Sequence, residues 1–321
     1  MINISRHGWM MRRHVHVLLS TFNGAEYLRE QLDSLLSQDY PHFSVHVRDD
    51  GSTDQTADII REYAKKAPIG FHVSFGQNLG FNESFRKLLE LEASEDDFFA
   101  FCDQDDVWAN DKISRAVEML SKSKHPETAL YFGRLCYVDR NLKKIALSDI
   151  PRYLDFNNAV VENVVPGCTI VMGGGVRNYL LRAPASAMSS HDWWAYLCAS
   201  AFGVVIYDSS TRIRYRRHGT NTSPWQHSPT SVVVTRAQEF LNRWRSRKIG
   251  FKSLQQAVRF IRIYREELSD DQASIVGELI DLRPPSSTVV SRFRYARKPK
   301  VHRNKRFDDL VMRAMIVLGQ Q

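Results

Sequence analysis

Three carboxylates stand close together behind a run of apolar residues in the first third of the chain. Phe98 to Cys102 is uninterruptedly apolar and predicts a buried strand, and Asp103, Asp105 and Asp106 follow it directly. Charges this close repel one another, so a turn that holds them needs a cation or a proton to offset the charge. Carboxylate and phosphate oxygens are the ligands that Mg²⁺ and Mn²⁺ prefer. The stretch therefore predicts a divalent-cation site that would carry a diphosphate.

Taken alone, an Asp-x-Asp tripeptide is equally typical of a solvated acidic turn. Three further strand candidates precede it, each followed by a polar turn and an amphipathic helix. The strands are predicted at 15–19, 45–47 and 71–75, and the turns at 20–24, 49–54 and 76–80. This alternation predicts a largely parallel sheet, in which ligands bind outside the carboxyl ends of the strands. We expect all four polar turns on that one edge.

Several function classes are excluded by missing motifs. The first turn lacks a Gly-x-Gly-x-x-Gly fingerprint and the chain has no Gly-Lys-Ser/Thr loop, which argues against a dinucleotide dehydrogenase and a P-loop kinase. The apolar runs are shorter than a membrane span requires, and residues 1–14 carry no signal-peptide core, so we expect a cytoplasmic protein. Four widely spaced cysteines predict buried free thiols.

Charge divides the chain into an acidic and a basic part. Residues 1–211 contain 21 basic and 27 acidic side chains, a balance of −6, whereas residues 212–321 contain 23 and 9, a balance of +14. Apolar residues at helical spacing over 254–264 and 307–318, separated by a break at 281–287, predict basic amphipathic helices. Charge alone suits an anionic membrane, a diphosphate-bearing acceptor or nucleic acid.

Four motifs at these intervals resemble the nucleotide-sugar half of family-2 glycosyltransferases. They are Ser20-Thr21-Phe22-Asn23-Gly24, Asp49-Asp50-Gly51-Ser52-Thr53-Asp54, Asn78-Leu79-Gly80 and Asp103-Gln104-Asp105-Asp106. The Asp-Gln-Asp-Asp-Val-Trp form, with Lys112-Ile113 after it, most resembles the bacterial rhamnosyltransferase-like branch. The resemblance implies the GT-A fold, a Rossmann-like α/β fold with a mostly parallel sheet flanked by helices. We expect the catalytic domain over 1–227 and a basic helical extension over 228–321.

The resemblance also implies roles for residues in these motifs. Asp50 would accept from an N–H of the base, Asp103 would bind ribose or metal-bound water, and Asp105 would ligate Mg²⁺ or Mn²⁺. The residues expected to contact the nucleotide sugar are Thr21, Asn23, Asp49, Asp50, Asn78, Gly80, Asp103 and Gln104.

Farther along the chain, His191-Asp192-Trp193-Trp194 resembles the segment of the family that carries the catalytic base. We predict that Asp192 is this base. The alternative is an acidic residue that only favours a helix N-terminus. Trp193 and Trp194 would offer a stacking face to a sugar, or one of them would pack in the core.

Two more segments complete the predicted site. Tyr215 to Asn221 is similar to the family's Tyr-Arg-x-His-Gly-x-Asn, which makes His218 a candidate ligand for metal or diphosphate and Arg216 and Arg217 candidate phosphate contacts. The alternative for His218 is a hydrogen-bonded structural residue. Residues 164–172 predict a core strand, and the three glycines at 173–175 depart from the family pattern.

The function predicted from these residues and the resemblance is metal-dependent, inverting sugar transfer. The donor would be dTDP-rhamnose or a UDP-sugar, and the acceptor a lipid-linked oligosaccharide or a polysaccharide of the cell envelope. An anionic membrane at the inner face of the plasma membrane is the further partner expected, and nucleic acid is not. Two alternatives stay open: a sugar-1-phosphate nucleotidyltransferase, and a non-catalytic module that binds anionic polymer or membrane.

Overall fold

A computed structural model describes residues 13–218 and 252–319. These residues form two compact units. The described part of the first unit comprises 13–159 and 163–216, and that of the second comprises 160–162, 217–218 and 252–319. The boundary predicted between residues 227 and 228 lies outside the described residues.

The first unit alternates strands and helices as predicted for its first hundred residues. Its strands are β1 (Val15–Thr21), β2 (Phe43–Asp49), β3 (Gly70–Phe75), β4 (Phe98–Cys102), β5 (Val107–Trp108), β6 (Ala129–Val138), β7 (Lys144–Leu147), β8 (Val171–Gly173) and β9 (Val204–Arg216). Its helices are α1 (Leu28–Leu36), α2 (Thr56–Lys66), α3 (Phe81–Leu89), α4 (Lys112–Ser121), α5 (Phe156–Ala159), α6 (Gly174–Arg182) and α7 (His191–Phe202).

Most of the strands form one mixed sheet in the order β3-β2-β1-β4-β8-β6-β9-β5, and β7 pairs with β6. The pairs among β1 to β4 are all parallel, as predicted. Beyond β4 the sheet is mixed, because β8 runs antiparallel to both of its neighbours while β6 and β9 are parallel. The predicted α/β fold with a sheet flanked by helices is therefore confirmed, with a sheet that is parallel over its first four strands and mixed beyond them.

The two faces of the β1–β2 pair differ in character because side chains alternate along a strand. Val15, Val17 and Val45 point to a buried apolar cluster that also holds residues of α1 and α2. The opposite face carries His16 and His46, whose ring nitrogens Nδ1 and Nε2 lie 3.0 Å apart. Burial lowers the pKa of His46 to about 3, with the neighbouring histidines adding to the effect.

The core strand predicted over 164–172 is shorter in the structure. A single 3₁₀ turn occupies Gly167–Thr169, and β8 begins only at Val171. Steric contacts explain why glycines stand at positions 173 and 174. A β-carbon placed on Gly173 would lie 2.2 Å from the carbonyl oxygen of Pro126, and one on Gly174 would lie 2.5 Å from that of Glu95. This backbone approach leaves no room for a side chain.

The described helices of the second unit are α8 (Lys252–Tyr264), α9 (Asp270–Asp281), α10 (Val289–Arg297) and α11 (Arg306–Leu318). Ser269 and Thr288 cap α9 and α10 with reciprocal side-chain and backbone hydrogen bonds. The predicted break over 281–287 is confirmed, since it separates these two helices. Within the described ranges, every helix is too short or too polar to cross a bilayer.

A glycine substitution in the first unit, with a control in the second unit, tests the packing around Gly173. We expect Gly173→Ala to lower the free energy of unfolding by about 1–3 kcal/mol, because the new methyl group meets a backbone oxygen that cannot move aside. Gly277→Ala is the matched control: it lies within α9 with open space around it, so the unfolding free energy should rise by about 0.5–1 kcal/mol. Urea unfolding followed by circular dichroism measures both. Equal effects of the two changes would contradict the packing described.

Candidate active site

The candidate site lies where the strand order of the sheet reverses. β2 and β3 extend the sheet on one side of β1, and β4 lies on its other side. Such a reversal opens a crevice outside the carboxyl ends of the strands. Thr21 pairs with Asp49 and Leu19 pairs with Cys102, so the turns after β1, β2 and β4 begin at the same edge. The structure thus brings the predicted turns together.

The turns after β1 and β2 are tied to each other by hydrogen bonds. Asn23 has a left-handed backbone with φ 46°, its N–H donates to Ser52 Oγ at 2.9 Å, and its Oδ1 accepts from Thr53 N at 2.8 Å. Thr21 Oγ1 donates to Asp49 Oδ1 at 2.9 Å. Both of these side chains are buried, so they shape the wall of the crevice.

Asp50 is held by three donors. Its Oδ1 accepts from Arg48 Nη1 and from Leu79 N at 2.9 Å, and its Oδ2 accepts from Gly80 N at 2.9 Å. Asn78 Oδ1 accepts from the same Gly80 N–H at 3.1 Å. These hydrogen bonds attach the turn after β3 to the end of β2, and Asp50 thereby fixes the conformation of that turn.

Gln104 closes the crevice between β1 and β4. Its Oε1 accepts from Phe22 N at 2.8 Å, and its Nε2 donates to Phe22 O at 3.0 Å. A β-carbon on Gly24 would lie 2.2 Å from Gln104 Oε1, so the close approach requires glycine there. The Phe22 ring itself is 44% exposed beside these polar turns. Sequence reasoning missed this aromatic side chain, although its place inside a polar turn is a usable signal.

The acidic turn after β4 is crowded and largely desolvated. Burial, together with the charges of Asp105 and Asp192, raises the pKa of Asp103 to about 7. Burial also raises the pKa of Asp106, which is fully buried. Within the described part of the chain, Asp106 Oδ2 has no hydrogen-bond partner. One potential ligand atom from each of Asp103, Asp106 and Cys168 lies within 4.8 Å of the others.

This cluster differs in part from the predicted metal ligands. It contains Asp103, as predicted, but it adds Asp106 and Cys168 instead of Asp105 and His218. The ligand roles of Asp105 and His218 stay predictions. Asp106 was visible in the acidic motif, whereas no local sequence pattern places Cys168 beside it, because the two are far apart in the chain.

Lys112 and Tyr215 also belong to these surroundings, and sequence reasoning assigned neither a role there. The Lys112 ammonium is buried and lies 3.5 Å from the centre of the Trp108 ring. Burial lowers its pKa to about 8, although the neighbouring carboxyl group of Asp106 opposes that shift. Lys112 thus supplies positive charge beneath the acidic turn.

Asp192 lies in the first turn of α7 and faces the same cluster. Its Oδ2 accepts from Asn163 Nδ2 at 3.0 Å, and its charge contributes to the raised pKa of Asp103. A β-carbon on Gly167 would lie 3.3 Å from Asp192 Cβ, so the turn that carries Cys168 packs directly against Asp192. The predicted base and the predicted acidic turn therefore meet. Asn163 was missed by sequence reasoning.

The two tryptophans after Asp192 have different surroundings. Trp194 is fully buried, so it packs in the core and has no face to offer a sugar. This corrects the stacking role suggested for it. Trp193 is half-buried, and its Nε1 donates to the carbonyl oxygen of Ala159 at 2.7 Å. That bond anchors the indole, and its sugar-stacking role stays a prediction.

The Arg216 guanidinium bonds to other protein groups instead of making the predicted phosphate contact. It is 1% exposed, donates to Asp105 O at 3.1 Å and Glu30 Oε2 at 2.8 Å, and bonds to Arg140 O. Binding phosphate would require breaking these bonds, so the side chain instead braces the acidic turn. Arg217 and His218 open the second unit, and their predicted roles are not tested by this geometry.

Comparisons with known proteins identify the family of this chain. The model of the family "Glycosyl transferase family 2" matches residues 16–173. An uncharacterized glycosyltransferase of Nostoc sp. is 34% identical over 237 residues, which cover 70% of this chain and 71% of the relative. The dTDP-rhamnosyl transferase RfbG of Shigella flexneri is 27% identical over 219 residues, which cover 63% and 72% respectively.

Solved structures share the fold. S. aureus TarS (residues 1–349), in complex with UDP-GlcNAc, has a TM-score of 0.56 and 17% identity, over 95% of this chain and 81% of that one. The mannosyltransferase PcManGT of Pyrobaculum calidifontis, in complex with GDP-Man and Mn²⁺, has a TM-score of 0.50 and 18% identity, over 96% and 87%. The matched domain, the Nostoc relative and the GT-A fold show that this chain belongs to glycosyltransferase family 2.

Proposed function

We propose that the protein transfers a sugar with inversion from a nucleoside diphosphate sugar to an acceptor hydroxyl, with Asp192 as the base. The observation that carries the proposal is that Asp192 packs against the turn of Cys168, whose potential ligand atom lies within 4.8 Å of those of Asp103 and Asp106. A carboxylate beside the acceptor oxygen would take its proton as that oxygen attacks the anomeric carbon. Attack from the side opposite the diphosphate inverts the configuration in one displacement.

The nucleoside half of the donor is assigned to the turns after β1, β2 and β3. Asp50 Oδ2 accepts one hydrogen bond from protein, from Gly80 N, which leaves a lone pair for an N–H of the base. The exposed ring of Phe22 offers a stacking face beside it. Asn23, Asn78 and Gln104 hold these turns in place for the ribose and base.

The diphosphate half is assigned to a divalent cation at the acidic turn. The oxygens of Asp103 and Asp106 suit Mg²⁺ or Mn²⁺, and one potential ligand atom of each lies within 4.8 Å of the other. Burial raises the pKa of the Cys168 thiol, so it stays protonated and is a poor ligand for these hard ions. When bound, the cation would offset charge on the departing diphosphate. Asp105 keeps its predicted ligand role within this proposal.

The proposal also names the donor sugar. The Shigella relative is named for dTDP-rhamnose, which supports rhamnose as the transferred sugar. UDP-GlcNAc and GDP-Man in the two solved relatives support nucleoside diphosphate sugars as the donor class. A lipid-linked oligosaccharide or a polysaccharide is the proposed acceptor.

A donor screen separates this function from its two rivals. With dTDP-rhamnose, UDP-sugars and GDP-sugars, we expect cation-dependent release of nucleoside diphosphate by the purified chain. Release of pyrophosphate from a nucleoside triphosphate and a sugar phosphate would instead indicate a nucleotidyltransferase. If every donor is left intact, in the presence of candidate acceptors, the non-catalytic binding module is favoured.

Asp192→Asn is the test of the base. We expect transfer to fall by about 10²–10⁴-fold while donor affinity is retained, because the amide cannot take the acceptor proton. Asn163→Ala should cost about tenfold, since it removes the bond that orients the carboxylate but keeps the carboxylate itself. Asp58→Asn, at an exposed carboxylate on α2, is the control and should change neither rate nor affinity. Unchanged turnover of Asp192→Asn would remove Asp192 from the mechanism.

Cation binding should depend on pH through Asp103. Its pKa of about 7 means that protons and the cation compete for the same carboxylate below neutrality. We expect Mn²⁺ affinity to fall by up to about tenfold per pH unit below pH 7 and to level off above it. Calorimetric titration at about pH 6 and about pH 8 measures this. Equal affinity at both values would contradict the assignment.

We also propose that the second unit docks on an anionic membrane. α11 buries Met312, Met315 and Ile316 but exposes a second apolar stripe of Phe307, Leu310 and Leu318. On α10, Val289, Val290 and Phe293 are exposed as well. Residues 289–319 contain nine basic and two acidic side chains, a balance of +7. Apolar stripes amid basic charge fit an anionic lipid surface, and such docking would place the enzyme near a lipid-linked acceptor.

Vesicle sedimentation tests the docking. The double change Phe293→Ser with Leu310→Asp should weaken binding to phosphatidylglycerol-containing vesicles by about tenfold or more, because it removes exposed apolar area. Ile150→Asp is the matched control, since Ile150 is 60% exposed but lies in the first unit. Binding should also weaken with added salt. Equal retention of both variants on the vesicles would refute this surface.

A further inference from the structure

A group of histidines on the polar face of the sheet has no part in the proposed transfer. His16 lies on β1, and Ser44 and His46 lie on β2, with His16 paired opposite Ser44. His14 directly precedes β1, and the His72 ring of β3 stacks on His46 with centroids 4.6 Å apart. These histidines and Ser44 lie in the first half of β1, β2 and β3 or directly before β1.

The imidazole nitrogens of this group point at one hydroxyl. Ser44 Oγ lies 2.8 Å from His14 Nε2, 2.9 Å from His46 Nε2 and 3.4 Å from His16 Nδ1. His16 Nδ1 and His46 Nε2 are 3.0 Å apart. Two ligand atoms bonded to one tetrahedral zinc ion, at about 2.0–2.1 Å each, lie about 3.3 Å from one another. The spacing of His16 Nδ1 from His46 Nε2 and the spacings of the three nitrogens from Ser44 Oγ are close to that value.

Asp97 orients the His16 ring. Its Oδ2 lies 3.2 Å from His16 Nε2. A carboxylate only accepts, so His16 carries its proton on Nε2 and directs the lone pair of Nδ1 toward Ser44. Metal-ligating histidines usually have their second nitrogen bonded to such a carboxylate, which fixes the tautomer and raises ligand basicity.

We infer that His14, His16 and His46 form a binding site for a divalent transition metal of the zinc class, with Ser44 or water as the fourth ligand. Imidazole nitrogens suit Zn²⁺, Ni²⁺ and Co²⁺, whereas Mg²⁺ and Mn²⁺ prefer oxygen ligands. The donors are now joined by hydrogen bonds, so they must rearrange around the ion. His14 can follow most easily because it is half-buried and precedes the strand.

This site is separate from the donor crevice. His16 is the second residue of β1 and Thr21 is its last, so about 16 Å of strand lies between the two sites. A cation bound here would link β1, β2 and, through Asp97, the segment that enters β4. Its expected effect is on stability rather than on sugar transfer.

Zinc uptake by the full-length chain tests the inference. The chelator-treated protein is exposed to Zn²⁺, dialysed and analysed for bound metal, and its thermal unfolding is recorded with and without the ion. We expect His46→Gln to bind one zinc fewer than the wild type and to lose the zinc-induced rise in melting temperature. His125→Gln, an exposed histidine outside the group, is the matched control and should behave as wild type.

Two further measurements keep the test decisive. Asp97→Asn should weaken zinc affinity about 10–100-fold while the three ligands remain. If His46→Gln fails to fold, nitrogen spectra of the wild-type imidazoles replace it: zinc should shift one ring nitrogen in each of His14, His16 and His46. The same zinc content in His46→Gln and wild type, or unshifted nitrogens, would show that the group is a hydrogen-bond network only.

Discussion

Repulsion among buried carboxylates is the constraint on which the site depends. Asp103, Asp105 and Asp106 follow a fully buried strand, and Asp192 adds a fourth negative charge from α7. Desolvation and mutual repulsion raise the pKa values of Asp103 and Asp106, so the turn favours a proton or a cation. A cation bound at the turn, as proposed, would offset this charge.

The rest of the first unit compensates for that repulsion. Lys112 places a buried ammonium beneath the turn, and Arg216 holds the backbone of Asp105 from the opposite side. Arg216 lies on β9, which pairs with β5, and the Lys112 ammonium contacts the ring of Trp108 in β5. Strand β5 follows the acidic motif directly. Lys112 and Arg216 thus hold the turn, and in the proposed function a cation would meet the charge of the diphosphate.

The crevice beside the acidic turn owes its shape to hydrogen bonds between loops. Asn23, Asp50 and Gln104 each satisfy backbone groups of a neighbouring turn, and Gly24 lets Gln104 approach. Polar side chains that the sequence predicts to contact the ligand therefore also form the wall of the crevice. Such residues can serve both purposes, since a carboxylate or amide oxygen accepts more than one bond.

Much of the fold and part of the site could be predicted from the sequence, because strand and helix periodicity and turn chemistry are local properties. The first four strands, the acidic turn, the helix that begins at His191 and the C-terminal helices follow from such patterns. Only the tertiary structure decided which distant residues meet. Cys168 beside Asp106, Asn163 on Asp192, the burial of Trp194 and the bracing by Arg216 all depend on packing between segments far apart in the chain, which no local pattern encodes.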